Sequence, residues 1–191
     1  MTIFGRHPVN DPVISQFFGA KNTWENPPWH KAIDYAAPYG TLIYAPCDLF
    51  IVHASAEPMP PGNPWEQVPG STAAGSCIIG QVPAPHTAVM TSFCHLQDIR
   101  VAAGDFAPEG SVIGAVGSSG NSTGPHLHWE VFIDYAEGAY PAGTFYGRVN
   151  PLDYFRTVTT VPLGTGGRGD ASLGAPTREL LLPDVPDLYL P

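Results

Sequence analysis

The sequence predicts an all-β or β-rich fold: one compact antiparallel sheet domain with long loops around a groove, followed by an extended C-terminal tail. Three observations carry that expectation. The 191 residues include 21 glycines and 22 prolines, about twice ordinary usage, and so many backbone breakers leave little room for long helices. Only 13% of residues are charged, about half the share of an average domain, which is too few for the polar faces of a helical bundle. Yet 43% are hydrophobic, enough to build a core and to argue against disorder.

Along the chain, 41–45 and 49–54 read as short strands joined by the turn Ala45-Pro46-Cys47-Asp48. Residues 57–75, rich in Pro, Gly, Ser and Ala, read as a long surface loop. Strands resume at 77–82, 87–95, 111–117 and, most clearly, 126–133, with the glycine-bearing turn Gly117-Ser118-Ser119-Gly120-Asn121 before the last. A short helical turn is expected at 151–156. The domain is expected to span 1–156. Residues 157–191 read as a glycine-rich linker followed by an apolar, proline-spaced peptide that cannot fold alone and must pack on its own domain or on a partner.

The net charge of −9, with Lys21 and Lys31 the only lysines, argues against a nucleic-acid partner and against anionic membrane surfaces. No run has the length of a membrane span, and the first ten residues lack the charged-then-apolar pattern of a secretion signal. Synthesis in the cytoplasm, with any export by another route, is the expectation. Cys47, Cys77 and Cys94 lie far apart without CxxC spacing, so they are expected to be reduced, buried thiols rather than metal ligands.

Of seven histidines, His126 and His128 form the most informative pair. Residues two apart on a strand share a face about 6.5–7 Å apart. The two imidazoles can converge on one metal, or one can hold metal while the other reaches a substrate; Leu127, Trp129, Val131 and Ile133 would then face the core. His30 and Asp34 form a second pair of residue types that zinc accepts. His95 closes a predicted strand.

In chain order, His30-Lys31-Ala32-Ile33-Asp34, then His95-Leu96, then Gly120-Asn121-Ser122-Thr123-Gly124-Pro125-His126-Leu127-His128-Trp129-Glu130-Val131 resembles the lysostaphin-type (LytM-like) zinc endopeptidases that cut peptidoglycan cross-bridges. The likeness runs from about Val13 to Phe155. It includes Asp34-Tyr35-Ala36-Ala37-Pro38-Tyr39-Gly40-Thr41, the glycine-bounded segment 110–117 and Asn150-Pro151-Leu152. Ala32, Leu49 and Phe93 depart from the pattern, where glycine, glycine and tyrosine are usual, and none of them removes a ligand or a reacting group.

The resemblance implies zinc (Zn2+) held by His30, Asp34 and His128, with His95 and His126 as the unligated catalytic histidines and a water in the fourth position. It leaves open which of the two is base and which is acid. The implied substrate is bacterial peptidoglycan peptide. Glu130, on the same strand face, reads either as a residue that orients a ligand or as a structural one, and Trp24 and Trp29, in the proline-rich stretch 22–29, read as lining a substrate groove, with a hydrophobic lid as the alternative. A phage lysin or virion- or tail-associated enzyme is the expected setting, with residues 170–191 as an anchor to other virion proteins. The alternative is an inert binding or structural protein of the same fold, against which the presence of all five key residues speaks.

Overall fold

Residues 126–133 form the longest strand, which alternates polar and apolar side chains from His126 to Val131. The computed structural model describes residues 2–21, 29–56, 74–133 and 147–156. Within them run β1 (Ile14–Gln16), β2 (Ile33–Ala36), β3 (Leu42–Tyr44), β4 (Leu49–Ser55), β5 (Cys77–Gln81), β6 (Val89–Cys94), β7 (Leu96–Ile99), β8 (Phe106–Ala107), β9 (Val112–Val116), β10 (His126–Ile133) and β11 (Arg148–Val149). A 3-10 turn at Pro151–Tyr154 follows, its first turn capped by the Asn150 side chain, which accepts from the Leu152 N–H. Among the described residues no helix is long and apolar enough to cross a membrane.

The expected antiparallel β architecture is found, split into two sheets. The larger runs β1-β2-β10-β6-β5-β4-β8, with β11 also on β10; the smaller runs β3-β9-β7. Six expected strands appear as β3, β4, β5, β6, β9 and β10 within one or two residues, and the helical turn appears as the 3-10 turn. The short strands β1, β2, β7, β8 and β11 were not anticipated. The loop at 57–75 falls largely, and the tail at 157–191 wholly, outside the described residues.

On β10, Leu127, Trp129 and Val131 are fully buried while His126 and His128 on the other face are partly open. Both sheets contribute to one core: Ile43, Ile113 and Val116 from the small sheet, Ile33, Ile78, Phe93 and Trp129 from the large. The N-terminal segment seals it from below. Phe4 meets Trp129 edge-on with ring centroids 5.0 Å apart, Phe155 meets both, and the Ile3 and Phe4 amides donate to the Tyr154 carbonyl. Truncating Trp129 to alanine would remove about 3–5 kcal/mol of stability, the usual loss for a core aromatic.

Two places where the chain changes sheets matter most. It leaves β6 for β7 through a single residue, His95, whose φ of +63° is uncommon for any residue but glycine. It returns from β9 to β10 through Gly117 and the loop to Pro125, and Gly117 forms an isolated bridge with His126. A Cβ on Gly117 would lie 2.7 Å from the His95 carbonyl oxygen, so only glycine lets the two crossings touch.

Candidate metal centre and active site

Register alone brings the first partners together. Antiparallel pairing sets Asp34 of β2 directly opposite His128 of β10, on the face away from the core. Their side chains meet at 2.9 Å between Asp34 Oδ1 and His128 Nδ1. His30, four residues before Asp34, stands just ahead of β2, where its amide donates to the Ala20 carbonyl and its carbonyl accepts from Gly19. Its Nε2 lies 3.2 Å from Asp34 Oδ2 and 3.4 Å from His128 Nδ1.

Asp34 thus turns one carboxylate oxygen to each histidine, Oδ1 at 2.9 Å and Oδ2 at 3.2 Å, and the two histidine nitrogens are 3.4 Å apart. Tetrahedral ligands at ordinary zinc bond lengths lie ~3.3–3.4 Å apart. The donor set of two imidazole nitrogens and one carboxylate therefore fits zinc in size and chemistry. The outer nitrogens fit as well. A carbonyl can only accept, so the 3.2 Å contact of His30 Nδ1 with the Phe17 carbonyl places the proton on Nδ1 and leaves Nε2 for a metal. His128 Nε2 faces Glu130 Oε1 at 3.3 Å, which leaves Nδ1 turned towards Asp34 and His30. Histidine ligands are commonly fixed through the second nitrogen in this way.

The other two histidines come from the sheet crossings. His95 Nδ1 donates to the Ser119 carbonyl at 2.8 Å, and His126 Nδ1 to the Gly124 carbonyl at 2.8 Å. Both carbonyls belong to the loop between β9 and β10, and both bonds leave an Nε2 lone pair free. The two rings lie 4.7 Å apart, His95 is 5.6 Å from His128 by ring centroids, and His126 Nε2 is 3.9 Å from Asp34 Oδ2. His95, His126 and His128 form a second group close enough to share an ion, but it lacks an anionic oxygen. Side-chain exposure is 3% for His30 and 17–19% for His126 and His128, so the centre opens on the β10 side.

The electrostatics differ across the site. Burial favours the uncharged acid at Asp34, but hydrogen bonds and charge from His128 and His30 outweigh it and hold the carboxyl well below the usual range. Burial likewise opposes charge on His128, yet Asp34 and Glu130 together push it up to about 10. Glu130 is buried and still ionised, held low chiefly by the Arg148 charge and by His128. His95 moves the other way: burial first, then the neighbouring His128, lower it to about 4.

The structure thus brings together His30, Asp34, His95, His126 and His128, with Glu130 against His128. Trp29 is 38% exposed beside His30 and bridges Lys21 in an isolated β-bridge; Trp24 lies outside the described residues. Sequence reasoning missed Arg148, Ser92 and the carbonyls of Phe17, Ser119 and Gly124. A backbone acceptor leaves no mark on residue type, and a lone arginine between glycine and valine gives no spacing to read. The three cysteines are free and buried, and burial pushes Cys47 up to about 12 and Cys77 up to about 11.

Comparison with known proteins supplies the kinship. Residues 28–139 match peptidase family M23. The DD-carboxypeptidase/endopeptidase Mpg of Neisseria meningitidis serogroup B is 35% identical over 136 residues, which cover 69% of this chain and 27% of that protein. A zinc containing peptidase from Vibrio cholerae superposes with a TM-score of 0.55 at 26% identity, covering 69% of this chain and 37% of that one. The catalytic domain of a mutant of the prophage-encoded M23 protein EnpA from Enterococcus faecalis does so with a TM-score of 0.56 at 26% identity, covering 79% of this chain and 97% of that one. The chain spans about a quarter of the length of the curated relatives it matches. Because the family match takes in more than half of the sequence and includes both β2 and β10, the chain belongs to peptidase family M23, a family of metallopeptidases.

Proposed function

We propose that this chain is a zinc-dependent endopeptidase that hydrolyses peptide cross-links of bacterial peptidoglycan. The observation that carries the reading is the convergence of His30 Nε2, the Asp34 carboxylate and His128 Nδ1 at separations suited to zinc, beside two imidazoles each held at Nδ1 by a loop carbonyl. Bound there, zinc would polarise the scissile carbonyl and bring the pKa of water towards neutrality. The chain's own groups do the rest. His30, Asp34 and His128 hold the ion. His95 is neutral at neutral pH and can take up a proton at Nε2, and His126 faces the same space. One of this pair receives the proton of the attacking water, and the pair stabilises the charged intermediate or returns the proton to the leaving amine.

The name of the Neisseria relative favours a D,D cross-link over a polyglycine bridge. Trp29 beside His30, together with Trp24, is proposed to contact the extended peptide. The prophage origin of one solved relative supports delivery on a phage particle to the cell wall, with residues 170–191 as the attachment peptide. Deleting residues 164–191 should then abolish incorporation into particles and spare hydrolysis.

The direct test incubates the full chain, with and without zinc, on purified walls of both cross-link types and identifies the released fragments by mass. New amines at D,D links, lost on chelation and restored by zinc, support the proposal. Zinc-loaded protein that cuts neither wall would move the inert binding reading to the front.

A further inference from the structure

Arg148 lies on β11 opposite Phe132 of β10. Its side chain therefore stands at the end of the row His126, His128, Glu130, Phe132 that one face of β10 presents. The guanidinium carbon is 6.0 Å from the Phe132 ring centroid, and the residue is 1% exposed. Its Nε lies 3.1 Å from Glu130 Oε1, close enough for an ion pair but not aligned as a hydrogen bond, and Nη2 has no hydrogen-bond partner among the described residues. Burying a guanidinium with unused donors is costly, and a well-packed apolar side chain in its place is often neutral or stabilising. Contribution to the core therefore does not explain it.

Its position does. Among the described residues Arg148 makes an ion pair with one carboxylate, Glu130. That carboxylate is fixed at both oxygens: Oε1 is shared between Arg148 and His128 Nε2, and Oε2 accepts from Ser92 Oγ at 3.3 Å. We infer that Arg148 is a positioning residue of the metal centre: through Glu130 it holds the His128 imidazole with Nε2 turned inward and Nδ1 facing His30 and Asp34. Without the guanidinium, Glu130 loses the partner that fixes its plane, and the His128 ring is free to turn its other nitrogen to the ion. The inference rests on the metal-binding reading of the proposed function.

The test uses the full chain as wild type, Arg148→Met, Arg148→Lys, Glu130→Gln and the Arg148→Met/Glu130→Gln double variant. Zinc affinity is measured by competition with a chromogenic chelator, the visible spectrum is recorded after cobalt substitution, and the metal-free fold is checked by circular dichroism. Arg148→Met should keep the β-rich spectrum, weaken zinc about 10–100-fold, the usual effect of losing an outer partner of a ligand, and alter the cobalt bands. Arg148→Lys should recover much of the affinity, and Arg148→Met should add little once Glu130 is already glutamine. Unchanged zinc affinity and cobalt bands in a folded Arg148→Met overturn the inference alone. So does an equal loss from Arg148→Met with or without Glu130→Gln. Should Arg148→Met fail to fold, Arg148→Lys and Glu130→Gln decide: wild-type metal binding in both overturns it. Wild type that binds no zinc overturns the metal reading, and this inference with it.

Discussion

The two sides of the site hold their histidines by different means. On the triad side, His128 is held by the carboxylate of Glu130, its charge compensated by Arg148, and it faces a second carboxylate, Asp34. On the crossing side, His95 and His126 are each held at Nδ1 by a neutral carbonyl of one loop. Anionic partners raise His128 to about 10, whereas burial takes His95 down to about 4. One residue type thus gives a ring that favours a positive charge and a ring that stays neutral. Two carboxylates beside His128, set against burial and a neighbouring imidazole at His95, make the distinction.

The largest effects should separate the two sides. Replacing His128 with alanine should abolish both zinc retention and hydrolysis, measured by metal content after gel filtration and by amine release. Replacing His95 with alanine should leave metal content near wild type and lower the rate about 10²–10⁴-fold, the range for losing a general acid–base group. If the His95 variant also lost its metal, the division into ligand and proton-transfer sides would fall.

A change of pH sharpens the same contrast. The metal-free chain carries a proton on His128 throughout the neutral range, because the pKa is raised to about 10. A metal at Nδ1 must displace that proton, so affinity rises with pH. Between about pH 7 and 10 zinc binding should tighten about tenfold per unit, with close to one proton released per ion from this residue. Calorimetry in buffers of differing ionisation enthalpy measures the release. No release at pH 7 would mean that His128 is already neutral there.

Smaller effects belong to the loop. Ser119 Oγ donates to the Leu96 carbonyl at 2.9 Å and accepts from the Ser76 amide at 3.0 Å, and the same residue's carbonyl holds His95. Ser119→Ala keeps the carbonyl but unties the loop. It should lower stability by about 1–3 kcal/mol, the loss expected when hydrogen-bond partners are left unsatisfied, measured by urea unfolding. The hydrolysis rate should drop far less than in His95→Ala, with zinc affinity unchanged. The smallest effect is expected at the thiols. Buried, with Cys47 near 12 and Cys77 near 11, they should react with alkylating reagents at pH 8 much more slowly in the native chain than in urea. Fast native labelling would show that the sheet opens locally.

The legible parts of the fold were runs of several strand-forming residues bounded by turn residues, as in β4, β5 and β10. What was missed is short or interrupted. β2 is four residues long with the charged Asp34 inside it, and β11 is two residues long and begins with an arginine. β7 is severed from β6 only by His95, so a single predicted strand ended where two sheets meet. At the site, spacing put His126 and His128 on one face but could not choose a nitrogen. That choice depends on Glu130 and Gly124, whose roles follow from pairing and from a backbone atom.

The distance in sequence between the triad's members has a consequence for how the protein is made. Asp34 and His128 are separated by 94 residues, and His30 and His128 by 98. At a synthesis rate of about 5–20 residues per second, the first pair leaves the ribosome ~5–20 s before its partner. Until then two thirds of the donor set belongs to an incomplete sheet, because the strand that joins β2 to β6 has not been translated. A metal would therefore find only part of its donor set until β10 has emerged, and hydrolytic competence waits for the strand that completes the sheet.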